Sequence, residues 1–285
     1  MIKASFVPHV VSYAKEMRGA LNHFMVEKVP DSAVRRSLNA TLAAREFEDY
    51  FATKSVDSLR DCFPHTLLRK QVIGISRSKH EIDVGVEANF EGSEVVFAVQ
   101  CKAPDFVEVL DSVRSGLGIR EIVNRHFYLD PGIIPEVVFA NYDARIERDL
   151  FYPSSPDCVI QVLASLKQLG EQAGELALAY GILVITPAPD FIEAGIRRIA
   201  ELDGLHSSGG LIKSDSRFVP PEEILASVEE LPSNNQLANQ AAPLSEYISR
   251  YLRPAGELPS RKEMSDYMLD RYWDFERVYS MMEET

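Results

Sequence analysis

Three side chains in the middle of the sequence, Asp83, Gln100 and Lys102, have types and spacing that suit chemistry on a phosphate. Side chains alternate along a β-strand, so Gln100 and Lys102, two positions apart, share one face of their strand. Asp83 lies between Ile82 and Val84 and faces the side opposite to them. If the two strands pair, Asp83 is expected to converge on Gln100 and Lys102.

A carboxylate, an amide oxygen and an ammonium group placed together favour metal-assisted cleavage of a phosphodiester. Carboxylate and amide oxygens are hard ligands that suit Mg²⁺, which keeps several waters of its own. A metal-bound water is a stronger nucleophile, and Lys102 can orient or deprotonate it, or offset charge in the transition state. The alternative is that Gln100 and Lys102 only mark the exposed end of a strand, since charged residues usually lie at surfaces.

The apolar pattern predicts that a β-meander carries these residues. Alternating residues at 82–86 and an apolar run at 95–102 predict two strands, and Glu91-Gly92-Ser93 between them predicts a turn. A β-branched cluster at 72–75 predicts a strand before them. The two longer strands are therefore expected to form a hairpin that brings Asp83 and Gln100 side by side.

Helices and further strands are predicted on both sides of this meander. In chain order they are helices at 9–53 with a break at Pro30, one or two helices at 107–123, a strand at 137–140, a helix at 159–178 and a strand at 181–186. The sequence therefore predicts an α/β fold in which helices flank a mixed central sheet.

The Ile82-Asp83 step, the hairpin and the Gln100-Cys101-Lys102 step resemble the signature of the PD-(D/E)XK nuclease superfamily. The glutamine resembles the Mrr-type restriction endonuclease branch, and the predicted order of elements matches the α-β-β-β-α-β core. Two departures stand out. Ile82 occupies the place of the nominal proline, and Gln100 replaces the usual acid, which should weaken metal affinity and favour a single ion.

The resemblance implies a role for each site residue. Asp83 and Gln100 would hold Mg²⁺, with Mn²⁺ as a possible substitute, and Lys102 would assist the attacking water. The superfamily often adds a glutamate from the preceding helix, and here Glu48 is the first candidate metal ligand, with Glu46 behind it. A solvated acidic helix face is the simpler interpretation of these two glutamates.

Size and charge limit what the chain can be. Its 285 residues are expected to form an N-terminal helical segment (1–39), a core (40–200) that the resemblance implies is nuclease-like, and a linker with a mostly helical C-terminal extension (201–285). The net charge of -13 argues against nucleic-acid binding over the whole surface. Binding would have to be local, helped by divalent metal or by oligomer formation.

Several classes of protein are not supported by the sequence. The longest apolar runs have the length of strands and fall well below the roughly 20 residues of a membrane-spanning helix. The N-terminus lacks the apolar segment of a signal peptide, and the three cysteines form no CxxC pair. A cytoplasmic protein without a membrane partner, a disulfide framework or a structural zinc site is expected.

These observations predict a nuclease that hydrolyses nucleic acid, with DNA favoured, in restriction, defence or DNA processing, as a homo-oligomer or within a complex. Two alternatives remain. One is a catalytically inactive module on the same fold that binds or scaffolds protein partners; the acidic charge and Gln100 favour it. The other is a sensing domain whose C-terminal helices do the work. Candidates for a phosphate-binding groove are Arg69, Lys70, Arg77, Lys79, Arg120 and Arg125.

Overall fold

The computed structural model describes residues 4–35, 40–62, 64–73, 79–144 and 156–204, with a few positions between 260 and 281. The strands are β1 (His65–Ile73), β2 (Lys79–Phe90), β3 (Ser93–Lys102), β4 (Cys158–Ser165) and β5 (Leu183–Ile185). The helices are α1 (Val7–His23), α2 (Val29–Arg35), α3 (Ala40–Ser58), α4 (Phe106–Arg114), α5 (Ile119–His126), α6 (Ile133–Ala144), α7 (Glu171–Ala179) and α8 (Pro189–Leu202).

Within the described residues the five strands form one open, mixed sheet in the order β1-β2-β3-β4-β5. The first three strands are antiparallel neighbours, whereas β3 with β4 and β4 with β5 are parallel. Parallel neighbours need a crossover, and helices α4 to α6 and then α7 provide it. The predicted α/β class with a mixed sheet and flanking helices is confirmed.

The hairpin between β2 and β3 has the tight turn that the sequence predicts. Glu91 and Gly92 have φ angles of 51° and 83°, and the side chain of Asn89 accepts a hydrogen bond from the Gly92 amide at 2.9 Å. Two successive residues with positive φ suit the right-handed twist of the flanking strands. The turn therefore fixes the register that pairs Val86 with Phe97.

Two hydrophobic clusters cover the two faces of the sheet. The larger core contains the buried side chains of α1, α3, α5 and α8 together with alternate residues of the central strands, such as Val84 and Phe97. The smaller core packs α6 and α7 against the other face, where Leu163 of β4 and Phe139 of α6 are fully buried. Successive side chains along a β-strand point to opposite faces of the sheet, so they face the two cores in turn.

Aromatic rings tie the N-terminal helices to the sheet. The ring of Tyr13 lies 4.4 Å from that of Phe97, and its hydroxyl is 3.0 Å from the Ser55 hydroxyl of α3. The ring centroids of Phe24 and Phe47 are 5.5 Å apart. The described residues between 4 and 35 thus pack into the same larger core as the predicted nuclease-like segment.

Pro30 does not break the helical path, contrary to the expectation from the sequence. A π turn, Phe24–Lys28, joins α1 to α2, and the Val29 amide donates to the Phe24 carbonyl. Proline lacks an N–H and clashes with the carbonyl four residues earlier in a regular α-helix. The wider π turn relieves this conflict, so Pro30 is accommodated in the first turn of α2.

Two segments between the meander and β5 were predicted with the wrong type. Residues 137–140, predicted as a strand, lie in α6, and residues 159–165, predicted as helix, form β4. Every residue of β4 is buried because both faces of the sheet are covered, so its apolar run has no alternation. A short buried helix and a buried parallel strand look alike in sequence.

The structure describes only a few positions of the C-terminal extension. Ser260 and Glu263 form a capping box: the Ser260 amide donates to the Glu263 carboxylate at 2.8 Å, and the Glu263 amide donates to the Ser260 hydroxyl at 3.2 Å. Val278 is buried in the larger core. The linker and most of the helical extension predicted for residues 201–285 lie outside the described residues.

Helix α8, for which the sequence predicts no element, packs closely on the π turn.

No helix in the described part of the chain is long and apolar enough to cross a membrane.

We predict that Gly195→Ala destabilises the protein by about 1–3 kcal/mol, measured by urea unfolding. A Cβ at Gly195 would lie 2.6 Å from the Met25 carbonyl oxygen, and backbone atoms cannot move aside cheaply. Gly19→Ala in α1 is the matched control: a Cβ there meets nothing within 4 Å, so helix propensity should raise the stability by about 0.5–1 kcal/mol. Equal effects of the two substitutions would contradict the close helix contact.

Candidate functional site

The pairing of β2 with β3 stops before either strand ends. The last pair in this direction is Val84 with Val99. Beyond it, the start of β2 stays paired with β1 as far as Lys79, and the end of β3 stays paired with β4 as far as Lys102. The two central strands therefore diverge and leave an opening in the sheet, which we call the fork.

Two side chains bridge the fork. A carboxylate oxygen of Asp83, Oδ2, accepts a hydrogen bond from the Cys101 amide at 2.7 Å. The amide nitrogen of Gln100, Nε2, donates to the Glu81 carbonyl at 2.7 Å. Strands that separate leave backbone groups without their ladder partners, and an unpaired group is costly once it is buried. Asp83 and Gln100 supply these partners from opposite strands.

Asp83, Gln100 and Lys102 lie on one face of the sheet. Val84 and Cys101 belong to the larger core, so their neighbours along each strand point to the other face. The three side chains are each half-buried. The structure thus places these three residues on one face of two neighbouring strands, and their convergence on one ion stays a prediction.

Helix α3, which carries Glu48 and Glu46, packs on the opposite side of the sheet. Its buried residues, Phe47 and Phe51 among them, lie in the larger core with Val84 and Phe97. Glu48 and Glu46 are half-buried beside this apolar stripe. The structure does not place α3 on the face that carries Gln100, and the role of Glu48 stays a prediction.

Lys102 is held at the carboxyl end of the parallel strands. It pairs with Ser165, the last residue of β4, and its carbonyl accepts a hydrogen bond from the Leu166 amide at 2.9 Å. Ligands of open α/β sheets commonly bind outside these strand ends. The backbone of Lys102 is therefore fixed at this edge of the sheet.

The two side chains that bridge the fork offer oxygen ligands for a cation. With Oδ2 of Asp83 bound to an amide and Nε2 of Gln100 used as a donor, these ligands are carboxylate oxygens of Asp83 and the Gln100 amide oxygen. No group of three or more His, Cys, Asp or Glu side chains that could hold a metal ion occurs among the described residues. A single ion that keeps several waters suits such a small set of ligands.

A buried polar cluster near the same strand ends was missed by the sequence analysis. The Ser112 hydroxyl lies 2.8 Å from His126 Nε2, and Glu108 lies 3.7 Å from His126 Nδ1. Ser112 and His126 are 7% and 8% exposed, so this pair ties α4 to α5. Burial lowers the pKa of His126, opposed by Glu108 and assisted by Arg125 and Lys167. Only the spacing of Glu108 and Ser112 on one helix face is visible in the sequence.

Comparison of the chain with protein-family models, with curated proteins and with solved structures finds no match.

The buried state of His126 predicts that the protein loses stability as the pH falls. The unfolded chain takes up this proton near the ordinary pKa of 6.5, whereas the folded protein does so only at lower pH. The contribution is complete above that value and declines as the pH drops below it. Urea unfolding at about pH 7.5 and about pH 5.5 should show a larger difference in wild type than in His126→Gln. The same difference in both proteins would contradict the prediction.

Proposed function

We propose that the chain is a metal-dependent nuclease that hydrolyses phosphodiester bonds of nucleic acid, with DNA as the favoured substrate. The observation that carries the proposal is the fork, where a carboxylate, an amide and a lysine share one face at a gap between two strands. A restriction-endonuclease-like core is part of the proposal. Its support is the order helix, three strands, helices and strand from α3 to β4.

The residues at the fork fit one divalent cation. Asp83 and Gln100 would hold Mg²⁺ or Mn²⁺ through oxygen atoms, and the bound ion would activate a water and offset charge on the phosphate. The hydrogen bond from the Cys101 amide limits rotation of the Asp83 carboxylate, and the bond from Gln100 to the Glu81 carbonyl does the same for the amide. A site with ligands that are already oriented loses less entropy when it binds.

Lys102 would act on the phosphate and the attacking water. Its ammonium group is a compact positive charge that can orient the attacking water and stabilise the developing negative charge. Its backbone is fixed on the β4 side, where it pairs with Ser165 and its carbonyl accepts a hydrogen bond from the Leu166 amide. This support allows the flexible side chain to act from a defined point.

A second candidate is a catalytically inactive module that uses the same fold to bind or scaffold a protein partner. Two observations favour it. Both Asp83 and Gln100 have a structural task, because each bridges the diverging strands. The net charge of -13 also opposes binding to a polyanion outside a local site.

Cleavage of plasmid, linear duplex and single-stranded DNA separates the two candidates. With Mg²⁺ or Mn²⁺ we expect cutting that EDTA stops and that Asp83→Asn or Lys102→Met reduces by about 100-fold or more. Asn keeps an acceptor for the Cys101 amide and Met keeps the apolar stem, so both variants should fold. Lys28→Ala, at an exposed lysine of the π turn, is the control and should cut like wild type. No cutting on any substrate would favour the inactive module, and cutting that survives both site substitutions would show that the fork is not the site of cleavage.

Gln100→Glu tests the double role of this side chain. The carboxylate adds charge to the cation site but cannot donate to the Glu81 carbonyl. We predict at least about tenfold tighter Mn²⁺ binding in calorimetry, together with a stability loss of about 1 kcal/mol in urea unfolding without metal. Gln161→Glu, at a buried glutamine in the middle of β4, is the comparison and should not tighten Mn²⁺ binding. Unchanged metal affinity in Gln100→Glu would argue that no cation binds at the fork.

A further inference from the structure

Three separate stretches of the chain meet beside the fork, at the carboxyl ends of β3 and β4. The end of β3 brings Lys102, the turn after β4 brings Lys167, and the residues after α5 bring Tyr128. We call these three residues the Tyr128 ridge. The Leu166 amide binds the Lys102 carbonyl, and Tyr128 forms a parallel bridge with Gln168, so Lys102 and Tyr128 lie on either side of the Lys167 turn.

Tyr128 lies at the edge of the sheet because its two neighbours belong to different cores. Phe127 is buried in the larger core and Leu129 in the smaller core. Two backbone hydrogen bonds hold this passage: the Gln168 amide donates to the Phe127 carbonyl at 2.6 Å, and the Leu129 amide donates to the Gln168 carbonyl at 2.9 Å. The segment is therefore fixed, yet the Tyr128 side chain is 37% exposed.

Positive charge accompanies the exposed ring. The turn that carries Lys167 is set by a hydrogen bond from its amide to the buried Ser165 hydroxyl at 2.9 Å. The charge of Lys167 reaches His126 and helps to lower its pKa, and the charge of Arg120 acts on the hydroxyl of Tyr128. Arg120 therefore lies within the range of direct electrostatic interaction with Tyr128, and Lys167, next to the Gln168 that bridges to Tyr128, lies within that range of His126.

Two acidic groups that act on the neighbouring His126, Asp105 and Glu108, have N–H or cationic partners. The Asp105 carboxylate accepts hydrogen bonds from the Val107 and Glu108 amides, which start α4. The Glu108 carboxylate lies 3.7 Å from His126. Carboxylates at a helix N-terminus are partly offset by its positive end, so they oppose an approaching polyanion less than free carboxylates would.

We propose that the Tyr128 ridge binds single-stranded nucleic acid, with one base stacked on Tyr128 and the adjoining phosphates near Lys167 and Lys102. This inference rests on the proposed nuclease function and names its substrate class. An exposed aromatic ring among cations is the combination that binds single strands, because bases stack on the ring and lysines follow the backbone. Lys102 belongs to both the ridge and the fork, so a strand on the ridge leads to the proposed cleavage site.

Single strands fit this surface better than a duplex does. Within a duplex the faces of the bases are covered by their neighbours, so a single ring on a fixed turn has no exposed base face to stack on. The charge of the chain as a whole also disfavours the broad phosphate contact that a duplex needs. A short cationic ridge with one ring requires only a few nucleotides in contact.

Fluorescence anisotropy with a labelled single-stranded oligonucleotide of about 12 nucleotides, and with the matching duplex, tests the inference in EDTA, where cutting cannot occur. Wild type should bind the single strand more tightly. Tyr128→Ala should weaken this binding by about 5- to 100-fold, whereas Tyr128→Phe, which keeps the ring, should bind like wild type. Lys167→Ala should reduce the slope of log K against log salt by about 0.7, and the control Lys28→Ala should not change it.

The outcomes for binding and for cutting are separable. Equal affinity of Tyr128→Ala and wild type, or tighter binding of the duplex, would overturn the ridge, even if the protein cuts DNA with Mg²⁺. Binding that depends on Tyr128 without any metal-dependent cutting would support the ridge and contradict the proposed nuclease. Thermal unfolding of each variant, monitored by circular dichroism, excludes loss of the fold as the cause.

Discussion

The separation of β2 from β3 after the Val84–Val99 pair is the constraint on which the site depends. Two neighbouring strands that diverge must find other partners for their backbone N–H and C=O groups. Here a carboxylate from one strand and an amide from the other supply them, so the fork is held open by polar side chains. Replacing Asp83 or Gln100 with an apolar residue would remove a partner that the separated backbone needs, independently of any catalysis.

The surrounding fold places this opening between two hydrophobic cores and beside a parallel strand end. The hairpin turn sets the register, the larger core orients Val84 and Cys101 inward, and their neighbours Asp83 and Gln100 consequently face the other side. The parallel pairing with β4 then fixes Lys102 at the edge of the sheet. Structural support and proposed chemistry use the same side chains, which explains why both a nuclease and an inactive module remain consistent with the geometry.

The meander and its three polar residues could be predicted because alternation and turn chemistry are local properties of the sequence. The types of residues 137–140 and 159–165 could not, because an apolar segment buried on all sides carries no periodicity. The fork could not be predicted from the sequence either. Its bonds run from side chains to backbone groups on another strand, and nothing in the residue types shows where a ladder stops. Tyr128 was missed for a similar reason, since its exposure follows from neighbours that enter different cores.

Diffraction from crystals soaked in Mn²⁺, recorded to detect the anomalous signal of the metal, tests the central claim most directly. The proposal predicts one Mn²⁺ at the fork, about 2.0–2.6 Å from an oxygen of Asp83 and from the Gln100 amide oxygen, with its other ligands supplied by water. Both hydrogen bonds that bridge the strands should persist. A fork without an anomalous peak at saturating Mn²⁺, or a metal bound elsewhere, would contradict the proposal and leave Asp83 and Gln100 with their structural role alone.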